Sequence, residues 1–255
     1  MLPYHVFPSH IWIIQVHGLF EAIGFFVAIM LLARYVKKKY NDKLDNIYSI
    51  SLWVIIGSVV GARLAYIIGN FDFYKDNLMQ IFNLLGGGLS YFGGLVGAVL
   101  FAYLYCKRKK LNFLEYADLF AVYIPLGHAI GRIGDYLIGE HIGKATDVAW
   151  AVMYDGELRH NIPLYDILFN LGLFLSLLRM RKMKLKQGML IIAYMLGYGT
   201  FRLLTGFLRV DEKMLNSLSI IQYFTIALII MTAMWMILRK KYDRKVDENS
   251  KSKMS

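Results

Sequence analysis

The sequence predicts an all-α, polytopic integral membrane protein of about seven transmembrane helices, and three observations predict it. Of its 255 residues 57% are hydrophobic and only 18% are charged, with a mean hydropathy of +0.46, well to the apolar side of a domain dissolved in water. Apolar stretches near the roughly 20 residues that a bilayer-spanning helix needs recur from end to end. The basic residues gather beside alternate stretches instead of forming one continuous surface.

The spans fall at about residues 11–35, 47–69, 87–106, 117–138, 163–180, 188–208 and 218–238. The first begins near Ile11 without a basic leader or a small-residue cleavage site and already carries His17 and Glu21, so it reads as a retained helix and not a signal peptide. It ends at Lys37, Lys38 and Lys39. The second carries Arg63, and the third opens on a glycine-rich run and closes on Lys107-Arg108-Lys109-Lys110. The fourth holds Asp118, His128, Arg132 and Asp135; the fifth is followed by Arg181, Lys182, Lys184 and Lys186. Arg202 lies in the sixth, and Arg239, Lys240 and Lys241 follow the seventh. The other connections hold only Lys75, Lys144, Arg159 and Lys213, which places the N-terminus outside and the C-terminus in the cytoplasm. Residues 1–240 read as a single membrane domain, in which 139–162 is either a small external cap or a solvated loop. Residues 241–255 read as a basic cytoplasmic tail drawn to anionic headgroups.

Composition also excludes. A net charge of +11 suggests nucleic acid only if it forms one surface, and here it flanks alternate spans, so no nucleic-acid partner is expected. The single cysteine, Cys106, cannot form an internal disulfide and reads as a buried structural thiol. No Rossmann or Walker pattern, internal repeat or metal-ligand cluster stands out.

Chemistry concentrates in the ionisable residues inside apolar spans. An arginine at a helix centre costs roughly 3 kcal/mol, so Arg63, Arg132 and Arg202 facing lipid together would cost about 9 kcal/mol; they must face protein, water or an anion. The densest run is His128-Ala-Ile-Gly-Arg132-Ile-Gly-Asp135-Tyr-Leu-Ile-Gly-Glu140-His-Ile-Gly143. Helical spacing puts His128, Arg132 and Asp135 on one face. Two readings stand: Arg132 and Asp135 form an ion pair that locks the bundle, or Arg132 binds a phosphate or carboxylate while Asp135 and Glu140 orient it. A guanidinium fork suits the second because it offers two parallel hydrogen bonds without losing its charge. Gly127, Gly131 and Gly134 permit close approach by a helix or a ligand. The same two possibilities hold for Gly86-Gly-Gly-Leu-Ser90-Tyr91-Phe92-Gly93-Gly94, which fits helix packing or backbone contact with a lipid headgroup. In Tyr198-Gly-Thr-Phe-Arg202…Arg209-Val-Asp211, Arg209 either snorkels to the interface or joins the site.

These residues resemble the prolipoprotein diacylglyceryl transferase family of bacterial plasma membranes. Its Gly-Arg-x-Gly-Asn-Phe-x-Asn-x-Glu-x-x-Gly signature is similar to Gly131 through Gly143, with Asp135 and Gly139 in place of the two asparagines. Its Gly-Gly-x-Ser-Phe-His-Gly-Gly loop is similar to Gly87 through Gly94, with Phe92 at the histidine. Its Tyr-Gly-x-Phe-Arg…Phe-Phe-Arg-x-x-Asp segment is similar to Tyr198 through Asp211, with Gly206 where a glutamate stands between the arginines. Weaker echoes are Gly61-Ala-Arg63, Arg159-His160…Asp166 and Ser219…Gln222, and a first-helix tyrosine is matched by His17.

The resemblance implies transfer of a diacylglyceryl group from phosphatidylglycerol to the lipobox cysteine of a prolipoprotein signal peptide, with release of glycerol 1-phosphate and no cofactor. It implies a multi-pass protein of the bacterial inner membrane surrounded by membrane lipids. Arg132, Arg202, Glu140 and a base, His17 or His128, are the expected catalytic groups. Arg63, Ser90, Tyr91, Gly93, Gly94, Asp135, Gly143, Tyr198 and Arg209 are the expected substrate-binding groups. For each histidine a packing role stands beside the catalytic one, and Glu21 either orients His17 or makes a separate hydrogen bond. A different acceptor, or a phospholipid-binding or transport protein on the same scaffold, is the alternative.

Overall fold

A computed structural model describes residues 8–11, 14–75, 77–82, 88–210 and 214–252. Helices dominate: α1 (Val16–Lys39), α2 (Leu44–Gly69), the short α3 (Phe71–Lys75), α4 (Tyr91–Arg108), α5 (Phe113–Ile138), α6 (Ile162–Met180), α7 (Met189–Gly206) and α8 (Ile220–Ser252). Among the described residues, five segments are long and apolar enough to cross a membrane: Val16–Lys39, Asn41–Gly69, Ile162–Met180, Met189–Gly206 and Ile220–Leu238. Helices α4 and α5 are also long, but composition sets them apart. The first ends in Lys107 and Arg108, and the second carries Glu115, Asp118, Arg132 and Asp135 together with an internal Pro125. The protein is thus a mostly helical membrane protein.

Local chemistry moves several boundaries. The first helix starts at Val16, not Ile11, because β1 (His10–Ile11) and β2 (Ile14–Gln15) pair as an antiparallel hairpin ahead of it. The last candidate span ends at Leu238, as expected, and helix α8 continues past it to Ser252 through a lysine- and arginine-rich sequence that suits a solvated helix. Between α5 and α6, β3 (Ile142–Ala145), β4 (Val152–Tyr154) and β5 (Glu157–Asn161) form an antiparallel sheet in the order β3-β5-β4. Tyr154 pairs with Glu157 across Asp155-Gly156, both at positive φ (51° and 80°), which is the tight two-residue turn that an Asp-Gly pair favours. A last hairpin, β6 (Met214–Leu215) with β7 (Leu218–Ser219), leads into α8.

The chain groups into two compact units, Ile29–Ala117 and the remainder on either side of it. In the first unit, α2 and α4 meet glycine to glycine: a Cβ at Gly61 would collide with the Gly93 carbonyl and lie 2.8 Å from Gly97 Cα, and one at Gly57 would strike Gly97 and Phe101. Small residues four apart let two backbones approach within van der Waals range, a large source of helix association where lipid competes for apolar contact. Arg63, in α2, donates from Nε to Ile81 O (2.9 Å), from Nη1 to Gly88 O (3.1 Å) and from Nη2 to Gln80 O, with its guanidinium 5.3 Å from the Tyr74 ring. It therefore ties the connection between α2 and α4 down by its own carbonyls.

In the second unit, α1 approaches α5 along the Gly127, Gly131 and Gly134 stripe. A Cβ at Gly134 would sit 2.9 Å from Phe20 Cβ and 3.2 Å from His17 Cα, while Gly24 faces the Gly127 carbonyl. The start of α7 is capped from outside the helix, by Asp118 of α5, which accepts from Gly188 N (2.6 Å) and Ile191 N (2.9 Å). A carboxylate there satisfies orphan amides and opposes the positive end of the helix dipole. Asn161 caps α6 through Leu164 N (3.1 Å), and Ser219 and Gln222 form a reciprocal capping box at α8 (2.8 and 3.1 Å). Gln222 also donates to Leu203 O (3.2 Å), fastening α8 to α7.

The glycine contact between α2 and α4 should be the least tolerant point of the first unit. Gly61→Leu is expected to lower stability by about 1–3 kcal/mol through overpacking. Gly69→Leu, where a side chain meets nothing within 4 Å, should leave the thermal midpoint of the detergent-solubilised protein unchanged.

Candidate functional site

The polar interior of the second unit is assembled around Arg132. Its Nη1 is paired with Asp135 Oδ2 one turn later on α5, and its Nε lies 3.3 Å from Asp166 Oδ2 on α6. Asp166 also accepts from Arg209 Nη2 at 2.9 Å, just past the end of α7. The second oxygen of Asp135 receives His17 Nδ1 from the first turn of α1, and His17 Nε2 lies 3.4 Å from Glu21 Oε1. Glu21, His17, Asp135, Arg132, Asp166 and Arg209 thus form one chain of contacts in which acidic and basic groups alternate.

Burial along this chain is uneven. The Asp135, Asp166 and Arg209 side chains are 0%, 3% and 4% exposed, whereas Arg132 and His17 keep 26% and 32%. Arg132 Nη2 makes no hydrogen bond among the described residues, so the fork is held on two sides and open on the third. A buried guanidinium without counter-charge would be strongly unfavourable, and two carboxylates remove that cost while leaving donor capacity for an anion.

Other expected residues fall around this chain. His128 packs its ring against Tyr198 (5.2 Å between centroids) and Tyr194 (6.5 Å) of α7, and its buried Nδ1 has no hydrogen-bond partner among the described residues. Arg202, half-buried, lies one helical turn beyond Tyr198 on α7. Glu140 is exposed, but its carboxylate, His17 and Asp135 bring donor atoms within 4.8 Å of one another. Both Asp135 oxygens are already engaged, one by His17 and the other by Arg132, and Glu140 stands beside that chain of contacts.

The model of the prolipoprotein diacylglyceryl transferase family matches residues 6–238. The chain belongs to that family. It is 35% identical over 210 residues to a phosphatidylglycerol–prolipoprotein diacylglyceryl transferase of Clostridioides difficile, covering 82% of this chain and 84% of the relative. Relatives of the same name from Finegoldia magna (36% over 227 residues, 89% and 90% covered) and Campylobacter hominis (38% over 208 residues, 76% and 74%) are similarly alike.

Several positions that the transferase family signature marks have backbone duties in this member. Gly139 has φ 70°, and the Glu140 amide returns to the Asp135 carbonyl at 3.1 Å, so the signature turn is a left-handed cap that ends α5. Asparagine also tolerates that conformation, which accounts for the Asn-to-Gly departure. Ser90 caps α4 by accepting from Gly93 N (3.4 Å), while Gly93 and Gly94 pack against α2. Gly143 is wedged, since a Cβ would meet Leu208 O at 2.7 Å. Arg63, expected at the lipid, donates instead to the carbonyls of residues 80, 81 and 88 in the connection between α2 and α4. Tyr91 is exposed and packs edge-on to Phe92 at 5.6 Å. Gly86, Gly87 and Asp211 lie outside the described residues. Arg209 does not snorkel: it turns inward to Asp166.

Asp166 is the member of the chain that sequence reasoning left without a role. The available signal was counter-charge: intramembrane arginines require carboxylates, and Asp166 lies in an apolar span. Its removal should be costly for the same reason. Asp166→Ala is expected to destabilise the protein by about 3–5 kcal/mol, by exposing two buried guanidinium groups to one another. Asp72→Ala, whose partner Lys75 is exposed, should shift the thermal midpoint by little on the same instrument.

Proposed function

We propose that this protein transfers the diacylglyceryl group of phosphatidylglycerol to the thiol of a lipobox cysteine in a prolipoprotein signal peptide, releasing glycerol 1-phosphate. The observation that carries the proposal is Arg132, a partly exposed guanidinium clamped by Asp135 and Asp166 whose Nη2 is unpaired among the described residues, in a chain whose relatives bear that activity in their names. The protein works in a bacterial plasma membrane crossed seven times, N-terminus outside and C-terminus cytoplasmic; the basic residues after α1, α4, α6 and α8 support that orientation.

In this reaction a thiolate attacks a glyceryl carbon, and negative charge builds on the departing phosphate. A donor fixed beforehand stabilises that charge more than the ground state, because no dipole has to reorganise as the bond breaks. Arg132 supplies such a donor, with Arg202 and Tyr198 of α7 on the same phosphate. Asp135 and Asp166 keep Arg132 in place, and Arg209 supports Asp166. Glu140, beside His17 and Asp135, orients the incoming groups. Either His17 or His128 takes the thiol proton.

The test is incubation of the purified protein in phosphatidylglycerol liposomes with a lipobox peptide, followed by mass spectrometry. A diacylglyceryl thioether and released glycerol 1-phosphate are expected, both absent when the peptide cysteine is serine. Arg132→Ala should reduce the rate by about two to three orders of magnitude. Failure to form product beside an active family member would point to another acceptor or to a phospholipid-binding protein.

A further inference from the structure

Two positions at which this chain departs from the family signature touch each other. Where the signature has a first-helix tyrosine and an asparagine, this chain has His17 and Asp135, and His17 Nδ1 is hydrogen-bonded to Asp135 Oδ1. The signature loop histidine is Phe92. The chain thus lacks an imidazole at one signature position and carries one at another, seated on a buried carboxylate.

The geometry assigns that imidazole an orientation. A carboxylate only accepts hydrogen bonds, so Nδ1 carries the hydrogen, and the lone pair of the neutral ring lies on Nε2. Nε2 is the outward nitrogen: its nearest charged neighbour, Glu21 Oε1, stands at 3.4 Å on a side chain that is 61% exposed. The other charged groups facing the ring are Asp135 and Arg132 of α5 and Glu140 in the turn after it. Gly134 allows the contact, because any side chain there would push the His17 backbone away. His128 has no comparable seat: its Nδ1 is buried without a hydrogen-bond partner among the described residues, and its ring is packed on tyrosines.

We propose that His17 Nε2 is the proton acceptor for the thiol of the acceptor peptide, and that Asp135 is the positioning residue that fixes its tautomer and holds it beside Arg132. The assignment rests on the transfer reaction above. The S–H proton passes to Nε2 and the sulfur electron pair forms the C–S bond. The C–O bond to phosphate breaks with its pair on the phosphate oxygen, and the proton then passes from His17 to that phosphate monoester. Asp135 presents one oxygen to the base and the other to the anion-binding arginine, so a single carboxylate sets the distance between the two halves of the reaction.

The experiment measures thioether formation by the full-length protein in phosphatidylglycerol liposomes with a lipobox peptide, from about pH 6 to about pH 10, across the ordinary thiol pKa of about 8.5. His17→Gln should lose about 10²–10⁴-fold in kcat near pH 7 with little change in KM for the lipid. It should regain rate as the pH passes about 8.5, where the peptide thiol ionises without help. Asp135→Asn, which can still accept from Nδ1, should show a smaller loss with the same recovery, whereas Arg132→Ala should remain slow throughout. A His17→Gln rate equal to wild type near neutrality, or a deficit of the same size at every pH, would overturn the assignment. So would pH-dependent recovery in His128→Gln and not in His17→Gln. Absence of product from the wild-type protein would instead remove the transfer reading on which the assignment rests.

Discussion

A guanidinium inside an apolar helix bundle has to be met by opposite charge, and Arg132 is met twice. Asp135 reaches it along α5 and Asp166 across from α6. That double pairing determines much of what surrounds it. Arg209 turns inward because Asp166 has capacity for a second guanidinium, and His17 can enter the interior because Asp135 has a second oxygen. The glycines on α5 matter at the same point, since they bring the first turn of α1 close enough for the imidazole to arrive. Low-dielectric surroundings strengthen these bonds and penalise any member left alone, so the chain behaves as one unit.

The unit Ile29–Ala117 solves a different problem with a similar residue. In its connection between α2 and α4, Arg63 collects three backbone carbonyls with one planar group. Arginine serves here as a multidentate donor to neutral acceptors, a role that its sequence neighbourhood does not distinguish from anion binding. Both uses follow from five N–H groups in a fixed fork and a charge that does not titrate.

This ambiguity explains what could be read from the residues beforehand. Long apolar runs place the helices because hydropathy acts over some twenty residues at once, and the Arg132–Asp135 pair follows from helical spacing alone. The hairpins at residues 10–15 and 214–219 escape such a reading, since each is set by a few backbone bonds. The Asp155-Gly156 turn was available as a local signal for β4 and β5. Long-range assignments fared differently: whether Gly93 faces a lipid or Gly61, and whether Arg209 faces water or Asp166, depends on which helices meet. Spacing on one helix carries no information about its neighbour. Departures from the signature are legible as isolated substitutions, and only the fold brings His17 and Asp135 into contact.

The cap on α7 has a further implication for how such chains can vary. Asp118 grips the helix at Gly188 and Ile191, whereas Tyr198 and Arg202 lie farther along the same helix. Each residue of an α-helix turns its successor by about 100°. A single insertion or deletion between the anchored amides and Arg202 would therefore swing that guanidinium off its face, even though every side chain survived. Lineages descending from this sequence can change the residues along that stretch far more freely than they can change its length.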